Sequence, residues 1–257
     1  MTYKKIIIAN WKMKLMLAET LNLAKEIKIK FKGFDFSQGD IVVCPNFISM
    51  LGAKELLRSG QIKIGAQNVF WEERGAYTGE ISSSMIKEAG CDYVIIGHSE
   101  RRKYLLENYE IIHQKLKAVL NAGKLVPVVC VGEEAEERGT DRRDFILVDQ
   151  LYQALAGINL MGDQEIIIAY EPIWAIGSGT AIEPEEAEYA HKILKLTLND
   201  MFGARVVKEN FRIIYGGSIS SKNVKEFANL EGVDGLLVGG ASLDAEEFYK
   251  ISKAILK

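Results

Sequence analysis

The feature that most limits the fold of this chain is a set of eight short apolar runs, at 6–9, 41–44, 62–66, 93–96, 125–131, 166–170, 211–215 and 236–238. They are rich in Ile and Val and do not alternate with polar residues. A strand with one wet face alternates, whereas a strand buried on both faces, as in a parallel sheet covered by helices, reads as an unbroken apolar run. Helical spacing fills the gaps between the runs. Leu17, Leu21, Ala24 and Ile27 form one apolar stripe, and Ile112, Leu116, Val119 and Leu120 form a second, which Gly123 ends. Ile146, Leu151 and Leu155 mark a third stripe. Ala187, Ala190, Ile193, Leu194 and Leu198 mark a fourth, opened by Pro184 at a favoured first helical position. A last helix is expected over Ala245 to Leu256, following Ser242 as its N-cap.

Strand and helix thus alternate from end to end with no low-complexity linker, which predicts a single α/β domain over residues 1–257. An open doubly wound sheet and a closed barrel both fit alternation. Eight strands with one crossover helix after each match the closed parallel (β/α)8 barrel, and a length near 250 residues suits it as one domain. The dinucleotide fingerprint that would favour the open sheet is missing, because Gly177-Ser178-Gly179 continues as Thr180, Ala181 and Ile182 without a third glycine.

Charge and cysteine usage narrow the partners. With 32 Lys plus Arg against 35 Asp plus Glu, the net charge of −3 supplies no field for nucleic acid or a polybasic membrane contact. No run approaches the roughly 18 apolar residues of a membrane span, and 6–9 is too short for a signal-peptide core. Cys44, Cys91 and Cys130 are odd in number, widely spaced and without a C-x-x-C partner, so no disulfide framework is expected. A cytoplasmic protein with no nucleic-acid or membrane partner is the expectation.

In such a barrel the chemistry gathers at the C-terminal strand ends. Asn10-Trp11-Lys12 follows the first run, Gly97-His98-Ser99-Glu100-Arg101 the fourth, Glu171-Pro172 the sixth, Gly216-Gly217-Ser218 the seventh and Gly239-Gly240 the eighth. Glu171 stands beside Trp174 and Ile176, whose apolar cover would strip water from the carboxylate and suit a general base; the plain alternative is a solvated glutamate. His98 opens a helix-like turn, where positive charge is disfavoured, so its imidazole is expected neutral and able to donate to a carbonyl oxygen. Lys12 is either a solvated loop lysine or a cation aimed into the barrel mouth. The glycine turns after the last two strands let backbone N–H groups approach a phosphate, although tight turns need glycine in any case. His113 and His191 fall inside helical segments and receive no role. No histidine pair has metal-ligand spacing and no G-x-S-x-G elbow exists, so no metal, cofactor or serine nucleophile is expected. The acidic run Glu133, Glu134, Glu136 and Glu137 reads as a solvated helix start. Taken together, cation, neutral histidine, carboxylate and phosphate turns describe proton abstraction beside the carbonyl of a small phosphorylated substrate.

The same segments, in order, resemble the triosephosphate isomerase family. Asn10-Trp11-Lys12-Met13 is similar to its first-strand motif, Gly65-Ala66-Gln67-Asn68 and Gly75-Ala76-Tyr77-Thr78-Gly79-Glu80 to its third-loop motif, and the stretch from Gly97 to Arg102 to its histidine segment. Ala169-Tyr170-Glu171-Pro172-Ile173-Trp174 resembles the segment carrying its base and lid, and Tyr215-Gly216-Gly217-Ser218 and Leu237-Val238-Gly239-Gly240 its phosphate turns. The resemblance implies a TIM barrel that interconverts dihydroxyacetone phosphate and D-glyceraldehyde 3-phosphate in glycolysis and gluconeogenesis. It implies Lys12, His98 and Glu171 as catalytic residues, and Asn10, Lys12, Gly177, Ser218, Gly239 and Gly240 as substrate-binding residues. Ser99, Glu100 and Cys130 would support them. It also implies a homodimer formed through the segment 68–80, which starts at Asn68 and ends at Glu80. Around Thr180 to Ile182 the chain departs from the family pattern by losing a lysine. The alternatives are another sugar-phosphate isomerase and an inactive barrel that serves as a binding protein.

Overall fold

The apolar runs become strands, each hydrogen-bonded in parallel to the run before it. The computed structural model describes residues 4–58, 61–140, 142–176 and 181–256. Its strands are β1 (Lys5–Asn10), β2 (Gly39–Cys44), β3 (Lys63–Ala66), β4 (Tyr93–Ile96), β5 (Val126–Val131), β6 (Ile166–Tyr170), β7 (Phe211–Tyr215) and β8 (Gly235–Val238). They follow chain order around a closed barrel, and β1 pairs with both β2 and β8.

Burial explains why the runs do not alternate. Along β1, Ile6 and Ile8 point into the barrel with Val42, Ile95, Val128, Ile167 and Ile214. Ile7 and Ala9 point outward against the helix layer. Both sets are fully buried. Each buried Ile or Leu contributes roughly 2 kcal/mol by leaving water, so both faces of the middle of the strand select apolar residues.

The helices among the described residues are α1 (Leu17–Lys30), α2 (Phe47–Leu57), α3 (Ser83–Glu88), α4 (Ser99–Leu105), α5 (Tyr109–Ala122), α6 (Ala135–Gly139), α7 (Arg143–Leu155), α8 (Pro184–Phe202), α9 (Ala204–Asn210), α10 (Val224–Ala228) and α11 (Ala245–Ile255). One helix per strand was too simple. The connections after β4, β5 and β6 each hold two. In the first two of these, a short helix at the rim carries polar groups and the longer one that follows packs on the barrel.

Local expectations fared unevenly. Pro184 opens α8 and Gly123, with φ 61°, ends α5. In α1 the buried face runs through Thr20, Leu23, Ala24 and Ile27, while Leu17 is half exposed. Ser242 does not cap the last helix. It lies in a 3-10 turn, Gly240–Leu243, where its hydroxyl donates to the Gly239 carbonyl at 2.6 Å, and Asp244 caps α11 by accepting the Glu247 N–H at 2.7 Å. No helix among the described residues is long and apolar enough to cross a membrane.

Candidate active site

The residues that leave the strands at their C-terminal ends meet around a cleft of about 440 Å³. Asn10 enters it from the last position of β1 and Lys12 just beyond, His98 after β4, Glu171 after β6, residues 216–218 after β7, and Gly239 and Gly240 after β8.

Glu171 is placed by the sheet itself. Its N–H donates to the Val131 carbonyl at 2.8 Å, which carries the β5–β6 ladder one rung past Tyr170. The side chain therefore starts from ordered backbone, and the residue is only 1% exposed. One carboxylate oxygen lies 3.0 Å from His98 Nε2, and the other accepts the Ser99 N–H at 3.0 Å.

His98 is the N-cap of α4, and its Nδ1 accepts the Glu100 N–H at 3.2 Å. A nitrogen that accepts carries no proton, so the neutral ring holds its hydrogen on Nε2 and donates it toward Glu171. The turn before it requires glycine. Gly97 has φ 69°, and a Cβ there would fall 2.7 Å from Ile112 Cδ1.

Lys12 has φ 51°, a conformation that a lysine holds only when its surroundings impose it. Both of its peptide groups are pinned: its N–H donates to Asn10 Oδ1 at 3.1 Å, and its carbonyl accepts Gln67 Nε2 at 2.9 Å. Gln67 also donates to the Cys44 carbonyl, at 2.8 Å, and so ties the ends of β1 and β2 together. The ammonium reaches Glu100 at 2.8 Å, and a Cβ at Gly239 would lie 3.8 Å from Nζ. The cation thus stands beside the glycine turn that follows β8. Beneath the cleft, burial and then the Glu171 charge push the Cys130 thiol well up, which leaves it neutral and unreactive.

This disposition of a carboxylate, an Nε2–H imidazole, an ammonium and two glycine turns agrees with what the chain resembles as a whole. The family model for triosephosphate isomerase matches residues 5–255. Among similar proteins, a triosephosphate isomerase of Dictyoglomus thermophilum is 44% identical over 251 residues, covering 98% of this chain and 99% of that one. One of Dehalococcoides mccartyi is 46% identical, covering 97% and 96%. One of Chloroherpeton thalassium is 39% identical, covering 98% of each. The chain belongs to the triosephosphate isomerase family.

Of the residues expected from the sequence, Asn10, Lys12, His98, Glu171, Ser218, Gly239 and Gly240 line this same cleft of the triosephosphate isomerase family member. Gly177 lies outside the described residues, as do Ser178, Gly179 and Thr180. Two expectations need correction. Ile176 lines the cleft, but Trp174 does not cover Glu171: its indole N–H donates to Glu133 Oε1 at 3.0 Å, and the Arg138 guanidinium stacks 4.2 Å from its ring. Glu133 is no solvated helix start. It is fully buried and also accepts the Tyr170 hydroxyl, at 3.1 Å, and burial pushes its carboxyl up despite those two donors. Only Glu134 and Glu136 of that acidic run are exposed. Reading along the chain also missed the role of Gln67. Its one signal was its position straight after β3.

Proposed function

We propose that this chain catalyses the metal-free interconversion of dihydroxyacetone phosphate and D-glyceraldehyde 3-phosphate, with Glu171 as the base, His98 as a neutral electrophile and Lys12 as the electrostatic stabiliser. The observation that carries the reading is the 3.0 Å approach of His98 Nε2 to Glu171 Oε1, inside the cleft that Lys12 and both glycine turns share. A glutamate base beside a neutral histidine is the pattern for which triosephosphate isomerases are the standard case, so the assignment follows the family.

The chemistry balances without a redox partner. Glu171 takes a proton from C1 of the ketose, the C–H electron pair becomes the C1–C2 double bond, and the carbonyl oxygen gains the negative charge. His98 Nε2–H and the Lys12 ammonium stabilise that oxygen. The imidazole moves protons between the two enediol oxygens, and Glu171 returns its proton to C2, leaving the aldehyde. Because both Glu171 oxygens are engaged, by His98 and Ser99, the substrate has to draw at least one of them away. Asn10, Gly177, Ser218, Gly239 and Gly240 bind the substrate, the glycines through backbone groups that no Cβ obstructs.

Residues 1–257 act as one domain, and the continuous layer between strands and helices supports this. The protein works as a homodimer through residues 68–80. In support, residues 72–80 are all exposed, while the Phe70 ring packs at a tilt against Trp71 and Tyr77 with centroids 4.0 and 4.7 Å apart, which gives the exposed segment a defined shape. Three free, buried cysteines suit a cytoplasmic setting.

The test is conversion of glyceraldehyde 3-phosphate by the purified protein in the presence of a chelator, beside Glu171→Gln. Rapid conversion that vanishes in the variant supports the isomerase and its base together. A folded wild-type protein without turnover would overturn the proposal. Light scattering at low micromolar concentration tests the dimer, and the mass of a single chain would sink it.

A further inference from the structure

Behind the cleft, one buried amide side chain does for the backbone what a neighbouring strand would otherwise do. Gly132 follows the last residue of β5. Its N–H donates to Gln150 Oε1 at 2.7 Å, and Gln150 Nε2 donates back to the Gly132 carbonyl at 2.9 Å. Gln150 comes from α7 and is 6% exposed. The two bonds form a closed pair, so both peptide groups of a residue beyond the strand end stay satisfied away from water.

The segment that Gln150 holds is the one that holds Glu171. A Cβ on Gly132 would fall 1.7 Å from the Glu171 carbonyl oxygen, so the two backbones lie directly against each other. On one side of Gly132, the Val131 carbonyl accepts the Glu171 N–H at 2.8 Å. On the other, the Glu133 carbonyl accepts the Ile173 N–H at 3.1 Å, and its carboxylate accepts Tyr170 and Trp174. Residues 131–133 thus form the rear wall against which 170–174 is set, and Gln150 fastens the middle of that wall to the helix layer. Gln150 does not line the cleft.

We propose that Gln150 is a positioning residue for the reaction: through Gly132 it fixes where the Glu171 backbone stands, and hence the reach of the carboxylate to the substrate carbon. This rests on the reading of Glu171 as the base. A displacement on the order of 1 Å at a reacting group can cost about a hundredfold in rate, so small slack in the wall is enough to matter. Leu in place of Gln150 removes both bonds, and Glu keeps an acceptor for the Gly132 N–H but loses the donor.

The experiment measures kcat, KM, thermal stability and the inhibition constant of inorganic phosphate for wild type, Gln150→Leu and Gln150→Glu. Leu155→Ala, at the far end of α7, serves as a control for lost packing. The expected result is kcat lowered by roughly ten- to a hundredfold in Gln150→Leu and by less in Gln150→Glu, with KM and phosphate inhibition within about threefold. Deuterium at the abstracted position should raise the isotope effect on kcat in Gln150→Leu, which lost stability alone would not do. Leu155→Ala should lose stability and keep kcat. If Gln150→Leu does not fold, Gln150→Glu carries the comparison on the same readouts. A folded Gln150 variant with kcat within about twofold of wild type, or falling no further than Leu155→Ala, overturns the inference. If Glu171→Gln is inactive in that case, the reading of the base stands. Turnover in Glu171→Gln within about twofold of wild type would remove the base itself.

Discussion

The two ends of the barrel both bury charge, and they use it in opposite ways. At the N-terminal end, Arg212 of β7 pairs with Glu165, lies 3.6 Å from Asp40 of β2 and donates to the Lys4 carbonyl at 3.1 Å. Asp40 in turn meets Lys63 at 3.0 Å and accepts the Tyr93 hydroxyl at 3.3 Å. Charge there is spent on charge. At the C-terminal end, Glu171 meets a neutral imidazole and a peptide N–H, and no ion pair with a cation is found for it among the described residues. The Lys12 ammonium is paired with Glu100, whose side chain is 45% exposed. Saturated partners make a plug. Charges opposed by neutral donors or by a wet partner, around a cleft, are left able to respond to a ligand.

This contrast can be broken by mutation, beginning with the largest effect. Glu171→Gln should lower kcat by about 10²–10⁴ with little change in stability, because it removes the proposed base and no ion pair. Steady-state kinetics beside a urea titration would show this, and a large loss of stability would mean that the top is a plug too. Arg212→Met should do the reverse. Removing one partner of a buried pair costs about 3–5 kcal/mol, so the urea midpoint should fall while kcat of the folded enzyme holds. A kcat that fell with it would couple the two ends.

The third effect sharpens the comparison between the ends and the layer that joins them. His191 of α8 is fully buried, gives its Nδ1 hydrogen to the Gly232 carbonyl at 3.0 Å, and stacks edge-on to Tyr170. Burial pushes its pKa down to about 4, and the Gly232 bond opposes that only in part. In the unfolded chain it titrates near 6.5. Between those values the unfolded chain binds more protons, so stability falls as pH falls through 6.5 toward 4. About 2 kcal/mol should be lost between pH 7 and pH 5 through this group. His191→Phe should flatten that slope, and an unchanged slope would place the acid sensitivity in the carboxylates at the barrel ends. Smallest is Asp244→Ala at the rim, where loss of the α11 cap should cost about 1 kcal/mol and leave KM unchanged. A raised KM would mean that the cap also shapes the Gly239–Gly240 turn.

Much of this molecule is readable along the chain because its signals are local. Burial on both faces of a strand erases alternation, so runs such as 93–96, 166–170 and 211–215 coincide with β4, β6 and β7 residue for residue. Being the first polar residue past such a run is enough to mark Glu171 as standing at a strand end. The N-cap of α4 marks His98 in the same way.

What stayed hidden depends on segments far apart in sequence. Glu133 shares its acidic run with Glu134 and Glu136, yet only folding brings Tyr170 and Trp174 over it and closes off the water. Gln67 and Gln150 are ordinary glutamines until the chain at the ends of β1, β2 and β5 presents peptide groups to their amides. The Asp40–Arg212 cluster joins residues 172 positions apart (212 − 40). Periodicity and strand-end position set the architecture and nominate the reactive side chains, since both follow from burial averaged over a few neighbouring residues. Which polar groups are desolvated, which are partnered and how firmly Glu171 is held were decided by packing, because a hydrogen bond or a charge pair has a value only once both of its members are in place.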